Sequence, residues 1–261
     1  MLSRMLSPYE LNILDYNPLR DVLNDQVDFE RVRNCDPLKL FISATNVQTG
    51  RAEIFSQAAL TVDHVMASAC LPFMFKAVEI DGVPYWDGGY MGNPPLFPLF
   101  DCAQTDDVVI VQINPFKRME TPKTAREILN RLNEITFNSS LTRELRAIDF
   151  VTRLMDAGRL DDTGYRRVLV HLIEDENTLS ALGASSKLNA EEAFFSMLFE
   201  KGRTAANDWL SNHFEDVGVR SSFAIADMFE REQDPLDGDR INRDAVYKHT
   251  PSIQANAQDA S

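Results

Sequence analysis

An aspartate set between an aromatic strand end and two glycines is the strongest chemical candidate in this 261-residue chain. Tyr85-Trp86 limits solvent on one side of Asp87, and Gly88-Gly89 lets another backbone or a substrate approach and permits positive φ. A carboxylate whose direction is fixed by such a turn suits general-base work once a hydroxyl or water stands within hydrogen-bond reach. The competing reading is that Asp87 only bonds the amides of its own turn, as Asp does in many tight turns. Local chemistry leaves both open.

Other groups offer less. His64, His171, His213 and His249 show no metal-ligand spacing, and no metal site is expected. His64 reads either as a residue lining a cleft before Pro72 or as a satisfied histidine; His171 lies in a buried-strand pattern and reads as structural. Cys35, Cys70 and Cys102 make an odd number with no CxxC pair, which is neither a disulfide framework nor a zinc site. Cys70, among small apolar residues, packs rather than reacts. Met66, Phe73, Met74 and Phe75 read as the wall of an apolar pocket or as plain core. Gly88-Gly89-x-x-Gly92 lacks the lysine and the strand–loop–helix setting of a phosphate loop.

The elements that must position Asp87 are legible in outline. Asn17-Pro18 sets a cap residue before a proline, predicting a helix through about Gln26, and Asp28 caps a short turn ending near Asn34. Leu38–Ala44 is nearly continuous in apolar residues, as for a strand buried on both faces, and Arg51–Phe55 alternates like a half-buried one. Thr61–Cys70 reads as a helix with a small-residue face, and Asp81-Gly82 as the tight turn of a hairpin. Val108–Ile113 and Val168–Ile173 are further buried-strand runs. Thr124-Ala-Arg-Glu127 is a capping box, after which Ile128, Leu132 and Ile135, then Leu141, Leu145, Ile148, Val151 and Met155, fall on a core-facing stripe until Gly158. A long helix opening near Asn189 turns Phe195, Leu198, Ala205, Trp209 and Leu210 to a core. No internal repeat is present. Apolar strand runs separated by helices point to a parallel α/β sheet.

Three segments carry a family likeness: Phe41-Ile-Ser-Ala-Thr-Asn46, Ala67-Ser-Ala-Cys-Leu-Pro72, and Tyr85-Trp-Asp-Gly-Gly89 with Asn93-Pro94-Pro95. In this order and spacing the chain resembles the patatin-like phospholipases, from about Ser7 through at least Asn114. The resemblance implies a three-layer α/β/α fold with a mainly parallel central sheet and a helical C-terminal extension. It implies lipid acyl hydrolysis by a serine–aspartate dyad, in which a serine on a G-x-S-x-G elbow attacks the ester. Asp87 would be its base, without a histidine. Gly88 and Gly89 complete the motif, a glycine-rich loop would supply the oxyanion hole, and no cofactor or metal is called for. A weak alcohol nucleophile needs a positioned base, and the developing oxyanion needs fixed donors.

The chain departs from that pattern. Residues 1–261 contain no G-x-S-x-G; the nearest run, Gly183-Ala-Ser-Ser-Lys187, lacks the second glycine and follows Asp87. No glycine-rich oxyanion loop occurs either. In the family both precede the part that begins here, so an N-terminally truncated member is expected, missing at least two βα units of about 30 residues each. Met1 resembles an internal methionine. A misassigned start, a truncated gene and an evolved remnant are the alternatives. Loss of a triad member leaves only about 10³–10⁴-fold catalysis over water even where the oxyanion hole is kept, so no esterase activity is expected from this chain alone. The competing class is a non-catalytic remnant or interaction module on the same scaffold.

The bulk composition narrows the partners. A net charge of −14 and a pI near 4.7 remove the basic footprint that nucleic acid requires. Lipid or ester substrates remain, with any membrane contact transient and apolar, and with self-association through a sheet edge uncovered at a strand such as Leu38–Ala44 or its neighbour. No apolar run is long enough to span a bilayer and no signal peptide is evident, so a cytoplasmic setting is expected. The expected organisation is the C-terminal part of a patatin-like domain over 1–115, a mainly helical continuation over 116–230, and a disordered tail over 231–261.

Overall fold

The computed structural model describes residues 7–102, 104–160, 164–183, 186 and 189–229. Most of the local signals form where the caps and turns place them. After the short α1 (Pro8–Leu11), α2 (Pro18–Gln26) starts where Asn17 Oδ1 accepts the Leu19 N–H at 3.2 Å. α3 (Phe29–Arg33) starts where Asp28 Oδ1 accepts the Arg31 N–H at 3.0 Å. Strands β1 (Phe41–Asn46) and β2 (Ala52–Ser56) follow, then α4 (Val62–Ser68). β3 (Val78–Ile80) and β4 (Val83–Asp87) form the hairpin, its turn made by positive φ at both Asp81 (52°) and Gly82 (78°). Both central residues of a type I′ turn need that conformation, which matches the twist of the flanking strands. Beyond lie α5 (Phe97–Cys102), β5 (Asp107–Val111), the 32-residue α6 (Ala125–Asp156), β6 (Leu169–Ile173), α7 (Glu176–Ala181), α8 (Glu192–His213) and α9 (Ile225–Phe229).

The protein is mixed α/β, but the mainly parallel sheet is not what the described strands form. β2-β1-β4-β3 make a four-stranded sheet in which every pairing is antiparallel; only β5 and β6 pair in parallel. Connection length explains the difference. β1 turns into β2 through Val47–Arg51, and β3 into β4 through two residues, and links that short return the chain antiparallel. β5 reaches β6 through α6, the long crossover that a parallel pair requires.

Two further expectations are corrected. Leu38 is 54% exposed and the strand begins only at Phe41, with Ala44 and Thr45 its buried residues. β1 lies between β2 and β4, so it is internal; of the two strands expected at an edge only its neighbour β2 is one, and β3 is the other edge of this sheet. On α6, Leu141, Leu145 and Ile148 are buried, whereas Ile128, Leu132 and Ile135 are exposed. Periodicity identifies an apolar stripe but not how much of a 32-residue helix has something to pack on. α8 repeats the lesson, with Trp209 buried and Phe195 and Leu210 exposed.

The core beside the candidate site consists of Ala44, Ala67 and Tyr85, flanked by Phe55, Val78, Ile80 and Val83. Phe55 joins α4 to the sheet through edge contacts with His64 (4.3 Å between ring centroids) and Tyr85 (5.5 Å). The described residues up to Ile225 form one compact unit. The expected tail over 231–261 lies outside the described residues.

Candidate active site

Asp87 is the last residue of β4, opposite Ala44 of β1. Its main-chain N–H donates to Cys70 O at 2.8 Å, just past the end of α4, and its carbonyl accepts the Thr45 hydroxyl, also at 2.8 Å. Its Oδ1 accepts the Gly89 N–H at 2.7 Å, which caps a single 3-10 turn over Gly88–Tyr90. A backbone amide on a carboxylate is a charge-assisted bond, and it fixes the direction of the group. β1, the α4 end and the Asp-Gly-Gly turn therefore converge on this one residue.

The glycines are required for close approach, not for positive φ; neither has φ in the left-handed region. An ideal Cβ on Gly88 would lie 2.6 Å from the Ser43 carbonyl carbon and overlap the Ser43 oxygens. One on Gly89 would overlap the ring of Phe137, with Cδ1 at 2.6 Å. Both glycine faces are thus occupied by the protein itself, by a strand backbone on one side and an α6 aromatic on the other.

Tyr90 and Phe137 complete the surroundings, their ring centroids 5.0 Å apart at an interplanar angle of 59°. Burial pushes the Tyr90 phenol above its ordinary range, with Asp87 and Cys70 adding to the shift by charge repulsion. The Cys70 thiol donates to Lys76 O at 3.0 Å, and its pKa is raised to about 11, chiefly by burial. That is an inert, packed cysteine.

The remaining candidates do not join this site. His64 is a helix-capping group: its Nδ1 accepts the Thr61 N–H at 3.1 Å and lies 2.9 Å from the Thr61 hydroxyl. Its burial favours the neutral ring, against the opposing pull of Asp63 and Asp81. Met66 is buried, but Phe73 is 88% exposed and Met74 is exposed too, so the four residues at 66–75 do not form one buried core. Among the described residues no group of three or more His, Cys, Asp or Glu side chains could hold a metal ion.

One constellation had no sequence signal. His171, wholly buried on β6, has Nε2 at 3.0 Å from Asp107 Oδ1 and Nδ1 at 3.0 Å from Ser222 Oγ. The order Asp–His–Ser resembles a catalytic triad, yet Trp209 Nε1 donates to the same Ser222 oxygen at 3.2 Å. The Ser222 N–H also points at Nδ1, at 3.4 Å. The hydroxyl is spent on internal bonds. With the bonds of Gly218 to Asp107 and of Ser221 and Phe223 to Val170, the trio ties residues 218–223 to the parallel pair.

An open groove of about 1150 Å³ lies between the loop before α6 and α7, and none of its lining residues belongs to the Asp87 turn. The Arg118 in its wall is neutralised by a two-point contact with Glu134 (2.7 and 2.6 Å) and by carbonyls of Ser180 and Leu182. It is a structural clamp between segments.

Residues 6–100 match the family model of patatin-like phospholipase. The resemblance carried by the three segments is borne out over that stretch, which runs from before α1 into α5 and includes Asp87, Gly88 and Gly89. No curated protein matches the chain. The match covers 95 of the 261 residues and ends within α5. Among the described residues no helix is long and apolar enough to cross a membrane.

Proposed function

We propose that the chain carries the base half of a serine–aspartate lipid acyl hydrolase, with Asp87 as the base and Gly88 and Gly89 forming the turn that aims it. The observation that carries this reading is convergence. The three segments that resemble the family are far apart in sequence, and Thr45, Cys70 and Gly89, one from each, all hydrogen-bond Asp87. A carboxylate held at its N–H, its carbonyl and its side chain is preorganised for a base, because no reorganisation is then needed at the moment of proton transfer.

In this reading residues 1–115 are the later part of a three-layer catalytic domain acting in the cytoplasm, and 116–230 continue it. The nucleophilic serine and oxyanion donors have no motif within the 261 residues. The 261-residue chain alone is therefore expected to show no turnover of a short-chain nitrophenyl ester. Turnover that Asp87→Asn abolishes would overturn the assignment of inactivity.

The second reading, a non-catalytic scaffold or interaction module, is favoured by the filled faces of Gly88 and Gly89, which leave those sides closed to substrate. The reading frame preceding Met1 separates the two. An in-frame G-x-S-x-G there supports the hydrolase, and a stop codon supports the scaffold.

A further inference from the structure

The element that braces the Asp87 turn lies outside the residues matched by the family model. Three side chains on one face of α6 reach the turn and the segment after it. Phe137 fills the space where Gly89 would carry a Cβ and packs on Tyr90. Ser140 Oγ accepts the Asn93 N–H at 3.1 Å, and Glu144 Oε2 accepts the Leu96 N–H at 2.6 Å. Positions 137, 140 and 144 follow the helical i, i+3, i+7 spacing, so one rigid face holds residues 89–96 at three points. On the opposite side Ser43 closes against Gly88, and its hydroxyl donates to Gly92 O at 3.0 Å. The turn is clamped between β1 and α6.

We propose that Phe137 is a positioning residue for Asp87. Glycine is the residue with the most backbone freedom to lose, so a 3-10 turn opening on two glycines keeps one conformation only if its surroundings impose it. Phe137 imposes it at Gly89, the residue whose N–H aims the carboxylate. With the ring removed, the Gly89 amide swings away from Oδ1 and Asp87 loses its fixed direction. This inference rests on the reading of Asp87 as a base, but it is tested without any hydrolysis. Failure here leaves that reading intact, and failure of the ester or reading-frame test leaves this one intact.

The experiment is a ¹⁵N-glycine-labelled proton–nitrogen spectrum of the full chain, whose 11 glycines give a readable set of signals. Asp87→Asn identifies the Gly89 signal through loss of the carboxylate acceptor. Phe137→Ala is expected to shift the Gly89 amide proton upfield and to speed its hydrogen exchange, while Gly50 and Gly164, which have open space around them, keep their positions. Phe137→Tyr, which keeps the ring, is expected to restore the wild-type signal. Leu132→Ala, at an exposed position of the same helix, is expected to leave it unchanged. An unshifted Gly89 amide in Phe137→Ala, or an equal shift in Leu132→Ala, overturns the proposal. Should Phe137→Ala fail to fold, Phe137→Leu is read by the same criterion.

Discussion

Asp87 and Asp107 are both carboxylates at strand ends, and in both Oδ1 accepts a backbone N–H at 2.7 Å, from Gly89 and Gly218 respectively. There the likeness stops. Asp107 continues into a relay of His171 and Ser222, takes the Thr105 hydroxyl on Oδ2 at 2.8 Å, and is held below the ordinary carboxylate range, first by the Gly218 amide. By side-chain order it resembles a catalytic triad far more than Asp87 does. Yet its histidine is wholly enclosed and its serine oxygen is already an acceptor for Trp209. Asp87 is instead the point where three separate segments meet. A triad is recognised by the roles its groups can play toward a substrate, not by the order of its hydrogen bonds.

Removing His171 should produce the largest effect. His171→Ala opens a cavity and leaves Asp107 and Ser222 without their shared partner, at a cost of about 3–5 kcal/mol, read as a lower urea midpoint. An organophosphonate probe should leave Ser222 of the native chain unlabelled; labelling there would turn the structural tie into a nucleophilic site and erase the contrast. The Asp87 turn should respond differently at its two glycines. Gly88→Ala meets the Ser43 main chain, which cannot step aside, and is expected to cost about 3 kcal/mol or more. Gly89→Ala meets side chains rather than main chain, the Phe137 ring and, at 3.0 Å, Asp87 Oδ1, so about 1–3 kcal/mol is expected. Combining it with Phe137→Ala should recover part of that loss. A fully additive double mutant would show that the ring and the glycine are not in contact.

The smallest effect is a pH dependence centred on His64. Burial lowers its pKa in the folded chain below the ordinary 6.5, so the unfolded chain takes up the proton first on acidification. Stability is therefore full above pH 6.5 and falls as the pH drops from there toward the lowered folded value. His64→Gln keeps an acceptor at the third helical position, where it can serve the Thr61 capping box, and carries no titratable ring. Denaturation midpoints measured across this range should slope less in the variant; an unchanged slope would assign the dependence to other groups.

Much of the fold was legible because its signals act within a few residues. Asn17, Asp28 and Thr124 cap helices as their types and followers dictate, and Asp81-Gly82 makes the hairpin turn. The strand runs were found, but not their partners, and the apolar stripe of α6 was found, but not the part of it left exposed. Burial of a helix face depends on what stands opposite. That depends on chain connections with no local trace in the residues concerned.

The sequence by itself determined that an aspartate would sit at the end of a strand on a two-glycine turn, since aromatic, acidic and glycine residues in that order act through their own backbone. It also determined that no nucleophile-elbow motif lies within the 261 residues. Only the tertiary structure decided why both glycines are needed: Ser43 and Phe137 approach from opposite sides, across 45 and 48 residues respectively (88 − 43 and 137 − 89). It also separated a triad-like tie around His171 from the site at Asp87. The physical reason is common to both. Hydrogen-bond partners and close packing are properties of a place in space, and a place is set by every element that reaches it.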